Sequence, residues 1–318
     1  MNILITGGAG FIGSHLTRRL LKKGHKVTVI DDMSTGSIQN LPSDEHDNLN
    51  VYEFSVAEEY SALDYIIFSD EIDLVYHLAA SVGVQNVWDD PIRCITNNIQ
   101  GTLNVLRACR ANNKRLLITS TSEVYGYSDS DYQGEGDHPI YGHPINGRWG
   151  YAASKYIDEL MAFDFHKRYG LEVTVVRLFN TIGERQTGKY GMVVPRFIKQ
   201  AKENLPLTVY GDGKQIRTFT DVNDVVWALA KLLKKKDSIG QLYNIGSSNT
   251  VAILYLAQSI IRLTGSKSKI KYIPYYEAFD SSFVDMERRV PDITKIKEAI
   301  GFKPNNDLEE ILLRIINA

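Results

Sequence analysis

The segment Gly7-Gly8-Ala9-Gly10-Phe11-Ile12-Gly13 stands between an apolar run, Asn2–Thr6, and a stretch of helical periodicity from about Phe11 to Lys23. Gly7, Gly10 and Gly13 give the spacing GxxGxxG. A strand before and a helix after commit this segment to a tight turn whose backbone can approach a ligand closely. Phe11 and Ile12 then lie in the first helical turn, where free N–H groups and the helix dipole favour an anion such as a pyrophosphate. Three glycines alone are a weak signal, so the next strand matters. Lys26–Ile30 reads as that strand and ends at Asp31. A carboxylate there accepts hydrogen bonds from the ribose hydroxyls of a dinucleotide and repels a 2′-phosphate, which points to NAD rather than NADP. The competing reading is a turn-forming Asp31-Asp32 pair.

Further strands are predicted at Asp73–Leu78, Arg115–Ser120 and Val173–Arg177, with helices over Asn98–Ala111 and Tyr151–Tyr169. Alternation of this kind calls for an α/β fold with a doubly wound parallel sheet covered on both faces. Beyond Phe179 glycine, proline and aromatic residues cluster, which reads as a smaller mixed α/β lobe built largely on loops. The expected division is 1–178 for the nucleotide-binding domain and 179–318 for a substrate lobe, with the helix near 222–235 returning to the first.

Composition narrows the function classes. Among 318 residues, 43% are hydrophobic and 23% charged, and the formal net charge is −2 without a basic block. That argues against nucleic acid and anionic membranes as partners. Lys234-Lys235-Lys236 follows an apolar stretch and reads as a solvated helix end. Cys94 and Cys109 lack CxxC or metal-ligand spacing and read as packing thiols, with no metal site. Neither a leader-like N-terminus nor an apolar run of membrane-spanning length is expected, so the expected location is the cytoplasm.

Tyr151-Ala152-Ala153-Ser154-Lys155 places a phenol and an ammonium four residues apart, on one helix face. A phenol titrates near pH ~10, and its use as a base near neutrality requires stabilising phenolate by about 4 kcal/mol. A nearby ammonium and a positive nicotinamide ring both act in that direction. YxxxK alone is common by chance. Thr119-Ser120-Thr121-Ser122-Glu123, at the C-terminal end of a strand, adds a hydroxyl, best Thr121, able to share the proton of a sugar hydroxyl.

Together these residues resemble the extended short-chain dehydrogenase/reductase family, in its nucleotide-sugar epimerase, dehydratase and decarboxylase branch. The markers are the Thr6–Gly13 segment, His77-Leu78-Ala79-Ala80, Asn98 with Gly101-Thr102, Thr121–Gly126, YxxxK, Arg177-Leu178-Phe179-Asn180, and Arg217 after Gly211-Asp212-Gly213. The resemblance covers essentially the whole chain and implies a Rossmann fold. It also implies that Leu78, Ala79 and Asn98 serve the NAD site, that Lys155 reaches the nicotinamide ribose, that Asn180 and Arg217 serve a substrate diphosphate, and that Arg185 belongs with the substrate-binding residues. A homodimer pairing the two long helices is implied as well. One departure is Ser55, in Glu53-Phe54-Ser55-Val56, standing where relatives carry an Asp that holds adenine.

Such enzymes first oxidise the sugar at C4. Three features resemble UDP-glucuronate decarboxylases: Ser122-Glu123, Arg148 ahead of Tyr151, and Arg289 before Val290-Pro291. An arginine near the carboxylate would select a uronic acid, and Ser122 can hydrogen-bond it. Glu123 has two uses: ionised, it repels a carboxylate until carbon dioxide leaves; protonated, it donates a hydrogen bond. Arg289 reads equally as a second diphosphate clamp, and Arg148 as a loop-ordering residue. The order of expectation is decarboxylase of a UDP-linked sugar, then 4-epimerase, then 4,6-dehydratase. A non-catalytic NAD-binding sensor is a different class, opposed by the intact Thr121, Tyr151 and Lys155.

Overall fold

A computed structural model describes residues 1–42, 47–83, 89–128, 130–144, 149–188, 192–278, 286–305 and 307–318. The first half runs β1 (Asn2–Thr6), α1 (Phe11–Lys22), β2 (Lys26–Asp31), β3 (Leu49–Glu53), α2 (Tyr60–Ser69) and β4 (Leu74–His77). It continues through α3 (Pro91–Ala111), β5 (Arg115–Thr121), α4 (Trp149–Tyr169) and β6 (Val173–Leu178). The second half holds β7 (Thr181–Ile182), α5 (Val193–Lys202), β8 (Leu207–Tyr210), β9 (Ile216–Thr218), β10 (Thr220–Asp221) and α6 (Val222–Leu232). Then follow β11 (Gln241–Ile245), β12 (Thr250–Ala252), α7 (Ile253–Thr264), β13 (Ile270–Ile273), α8 (Tyr275–Ala278), β14 (Arg288–Arg289), α9 (Thr294–Ile300) and α10 (Leu308–Ile316).

Seven strands form one parallel sheet in the order β11-β6-β5-β4-β1-β2-β3, the doubly wound α/β architecture expected. Its inner strands are apolar on both faces because both are covered, while the edge strand β3 is only partly buried. Ile3 and Ile5 of β1 pack with Leu16 and Leu20 of α1 and Val225 and Leu229 of α6. Leu4 points the other way, among Leu63 of α2 and Val105 and Leu106 of α3. The chain thus returns to the large sheet at α6 and β11, the latter beside β6.

The remaining strands make small sheets, β12-β9-β14, β13-β8 and β10-β7, over a separate apolar cluster that includes Phe197, Val209 and Leu256. The second lobe is therefore less loop-built than its glycine and proline content suggests, because two- to four-residue strands leave little periodicity to read. The helix expected from Asn98 starts earlier, at Pro91. Asp90 caps it by accepting from the Arg93 N–H at 3.0 Å, and proline suits the first helical position.

A buried ion pair fastens α4 to the sheet. Arg177 of β6 donates through Nε to Glu159 Oε1 at 2.9 Å and through Nη2 to Oε2 at 2.7 Å, while the Ser120 hydroxyl donates to Oε1 at 2.5 Å. The guanidinium also lies 4.5 Å from the centre of the Tyr125 ring. Glu159→Ala strands that buried charge and is expected to cost about 3–5 kcal/mol of stability, read from urea unfolding. A loss below about 1 kcal/mol would show that the pair is solvated.

Candidate active site

A cavity of about 950 Å³ runs along the C-terminal ends of the large sheet's strands, roofed by the second lobe. The glycine turn forms one wall. Gly7 has φ +71°, and a Cβ there would lie 2.7 Å from the Ala79 amide nitrogen. A Cβ at Gly13 would lie 2.0 Å from the Gly7 carbonyl oxygen, and one at Gly10 would lie 3.2 Å from it. The turn is thus folded on itself and against Leu78–Ala79, with Phe11 and Ile12 lining the cavity beside it. Gly10 caps α1 without offering a side chain to the free N–H groups. That cradle fits a dinucleotide diphosphate.

Asp31 sits at the end of this wall. Its Oδ2 accepts from the Ala9 N–H at 2.9 Å and its Oδ1 from the Met33 N–H at 3.0 Å. Burial pushes its pKa up and these bonds pull it down. A carboxylate has about four acceptor positions, so Asp31 can still accept from a ribose hydroxyl. Ser55 lines the same cavity, its Oγ accepting from the Ala57 N–H at 3.3 Å. Asn98, expected at the cofactor, is buried behind the wall. Its Oδ1 accepts from the Ser81 N–H at 2.7 Å and its Nδ2 donates to the Ser154 hydroxyl at 3.1 Å. It braces the loop after β4 against α4, and its neighbour Asn97 faces the cavity instead.

Thr121, Ser122 and Glu123 carry β5 into a 3-10 turn at the cavity floor, where Tyr151 and Lys155 of α4 arrive. The Thr121 hydroxyl accepts from the Glu123 N–H at 3.2 Å and lies beside the Tyr151 phenol. Burial, then the Glu123 charge, hold that phenol above its ordinary pKa. This departs from the lowering expected of a neighbouring ammonium. Lys155 Nζ instead donates to Asp158 Oδ2 at 2.7 Å, with both side chains nearly inaccessible, so its charge is compensated locally.

Asp158 was not singled out by sequence reasoning, since a charged residue at a helical position three beyond a lysine is ordinarily a surface pair. Behind Lys155 the buried His77 ring spans the Thr6 hydroxyl, 2.7 Å from Nδ1, and the Thr102 hydroxyl, 3.1 Å from Nε2. Burial and the Lys155 charge push its pKa down to about 3, so the ring is neutral.

The second lobe brings in two arginines. Arg217 of β9 and Arg289 of β14 are register partners on adjacent parallel strands, and both face the cavity. Arg217 Nη1 donates to the Ile216 and Met286 carbonyls, each at 2.9 Å. Arg289 Nη1 donates to Glu123 Oε1 at 2.5 Å. Two residues that suggested a uronate reaction separately are therefore one ion pair. Asn180 lines the same lobe, its Nδ2 donating to the Thr218 carbonyl at 3.0 Å. Arg185, expected with the substrate groups, lies against α1, its Nε donating to the Ser14 hydroxyl at 3.0 Å. Arg148 falls outside the described residues.

Sequence reasoning missed the far end of the cavity. There the Arg196 guanidinium lies 4.4 Å from the centre of the Tyr210 ring, and Gln215 Nε2 donates to the Tyr275 hydroxyl at 3.1 Å. The Gly211-Asp212-Gly213 turn after Tyr210 was the available signal: a Cβ at Gly211 would lie 2.6 Å from the Tyr275 ring.

The chain is similar to known proteins in sequence and in fold. The chain is 39% identical over 314 residues to a UDP-N-acetyl-alpha-D-glucosaminuronate decarboxylase of Bacillus cytotoxicus, covering 98% of this chain and 96% of the relative. It is 41% identical over 315 residues to UDP-glucuronic acid decarboxylase 1 of Danio rerio, covering 99% of this chain and 71% of that one. The crystal structure of UDP-glucuronic acid 4-epimerase from Bacillus cereus, in complex with UDP-glucuronic acid and NAD, superposes with a TM-score of 0.87 at 30% identity, covering 100% of this chain and 98% of that one. Because the model of the GDP-mannose 4,6 dehydratase family matches residues 4–315, glycine cradle, YxxxK helix and substrate lobe together, the chain belongs to that family of extended short-chain dehydrogenases/reductases.

Proposed function

We propose that this chain is an NAD-dependent decarboxylase of a UDP-linked uronic acid, with UDP-glucuronate the best candidate. The observation that carries the reading is the Arg289–Glu123 pair, which lies in the same cavity as Thr121 and Tyr151. The Glu123 carboxylate engages the arginine that a substrate carboxylate would claim, and so resembles it in charge and placement. The decarboxylase relatives act on uronic acids, and the epimerase relative was crystallised with one, which supports the same substrate class.

The residues divide the chemistry as follows. Bound NAD would supply the hydride acceptor for C4 of the sugar, held by the glycine cradle, Asp31 and Lys155. Tyr151 takes the proton of the C4 hydroxyl, and Thr121 holds that oxygen through its own hydroxyl. With C4 a ketone, the carboxylate on C5 is a β-keto acid. The bond from C5 to the carboxylate carbon breaks, its electron pair moves into the enolate, and the C4 oxyanion is stabilised by the Tyr151 and Thr121 hydroxyls. A proton from water then closes the enolate at C5, and Tyr151 returns its proton to the C4 oxygen as the hydride comes back to C4, so that the net loss is carbon dioxide alone. Ser122 and Arg289 orient the carboxylate until carbon dioxide leaves. Ionised Glu123 opposes a second carboxylate beside it, a repulsion relieved on decarboxylation. Arg217 and Asn180 hold the diphosphate.

The test is incubation with NAD and, separately, UDP-glucuronate, UDP-N-acetylglucosaminuronate and UDP-glucose, read by mass spectrometry. A product lighter by one carbon dioxide from a uronate supports the decarboxylase. An unchanged mass with inverted C4, or loss of water from UDP-glucose, overturns it in favour of an epimerase or a dehydratase. The reading includes a homodimer through α3 and α4: Val105 and Leu106 are spent inside the chain, but Ile157 and Leu160 are 38% and 50% exposed. A monomeric mass by light scattering would oppose it. Among the described residues no helix is long and apolar enough to cross a membrane.

A further inference from the structure

We propose that Arg185 is a ligand of the cofactor's diphosphate rather than of the substrate's, an assignment that rests on the NAD reading above. Four observations converge. First, Arg185 lines the cavity from the loop after β7, but its Nε is spent on Ser14 of α1 at 3.0 Å, beside the glycine turn. That contact joins residues 171 apart in sequence. It holds the guanidinium at the helix end whose backbone N–H groups form the cradle.

Second, the loop is fastened to α1 at further points. His15 Nε2 bonds the Glu184 carbonyl at 2.9 Å. The Glu184 carboxylate is held by Arg314 of α10, which also donates to Asp221 Oδ2 at 2.8 Å. Gly183 permits the close approach: a Cβ there would lie 2.3 Å from Val222 and 3.4 Å from the Phe11 ring.

Third, Arg185 has φ +66°, a backbone conformation unfavourable for a side chain with a Cβ. Strain at a residue whose side chain reaches a ligand cavity is the pattern expected where position matters more than local stability.

Fourth, the guanidinium lacks an ion-pair partner. Burial and the Arg18 charge act against it and outweigh the attraction of the Glu184 charge. Its sequence neighbour Glu184 is engaged by Arg314, and among the described residues no carboxylate forms an ion pair with Arg185. A cation placed at the positive end of a helix is disfavoured by the dipole. A doubly charged diphosphate in the cradle removes both penalties, and the two Nη groups are the donors left to meet it. The substrate's diphosphate has its own arginine in Arg217, across the cavity in the β9–β14 sheet.

The experiment measures NADH and UDP affinity separately, by NADH fluorescence and by calorimetry, in wild type, Arg185→Gly and Arg185→Lys. Glycine relaxes the backbone at this φ, so Arg185→Gly is expected to fold with an unchanged or raised Tm. Its NADH affinity is expected to fall about 10- to 100-fold, the range for a hydrogen bond to a charged group, with UDP affinity within about twofold. Arg185→Lys should lie between, keeping charge without the fork. A fall in UDP affinity with NADH unchanged overturns the assignment, as does an equal fall in both or no change in either. Failure of the wild type to bind NADH would instead overturn the NAD reading itself.

Discussion

Tyr151→Phe is expected to lower turnover of the uronate by about 10²- to 10⁴-fold, the range for losing a positioned general base, while NADH and UDP affinities stay near wild type. The change removes one oxygen from a half-buried ring and leaves the Thr121 hydroxyl with the Glu123 N–H. Initial rates by mass spectrometry and NADH fluorescence check both halves. Retained turnover would refute the assignment of the phenol as base.

The surroundings of Tyr151 add a pH signature. Burial and the Glu123 charge hold the phenol above its ordinary pKa, and a base must be deprotonated to act. Activity should therefore rise with pH along the acid limb. Glu123→Gln removes the like charge and also frees the positive Arg289, and both changes favour phenolate. The acid limb of kcat/KM should move to lower pH. A limb that stays in place or moves up would show that Glu123 does not act on Tyr151 in the working enzyme.

The second large effect is expected at Arg289. Arg289→Lys keeps a charge but loses the planar fork that holds a carboxylate through two hydrogen bonds. If Arg289 receives the substrate carboxylate in exchange for Glu123, kcat/KM for UDP-glucuronate should fall by about 2–5 kcal/mol, the range for truncating one side of a buried charge pair. UDP alone should bind almost as before. Stability should change little, by about 1 kcal/mol or less, because Glu123 is 26% exposed and can turn to water. Equal losses for UDP and UDP-glucuronate would make Arg289 a diphosphate clamp, the other reading of its place in β14. Its register pairing with Arg217 is why that alternative is concrete: neighbouring guanidiniums on one small sheet can share a ligand.

Read as sequence alone, the chain determined whatever is set by a few consecutive residues. Gly7, Gly10 and Gly13 specify a strand–turn–helix because their missing side chains are required by contacts within that turn and, for Gly7, with Leu78–Ala79 after β4. Asp31 follows from the strand that ends on it, and Tyr151 from its place at the start of a helix. Apolar periodicity in the first half announced the doubly wound sheet, since its inner strands are buried on both faces, while the edge strand β3 is only partly covered. In the second lobe the strands are too short to carry a period, and β11 joins the large sheet only through its pairing with β6.

Tertiary structure alone decided what each charged group faces. YxxxK implied a lysine acting on a tyrosine, but whether that ammonium stands bare or paired depends on the burial of Asp158, which spacing cannot show. Glu123 and Arg289 are 166 residues apart, and either alone is an ordinary surface charge. Asn98 carries a family marker yet turns its amide to Ser81 and Ser154 rather than the cavity. Arg185 was grouped with the substrate by its neighbours in sequence, and the fold sets it beside Ser14. The physical reason is common to all four. Backbone conformation is governed by local sterics and hydrogen bonding, whereas the energy of a buried charge or polar group is governed by distant groups that only folding brings within a few ångströms.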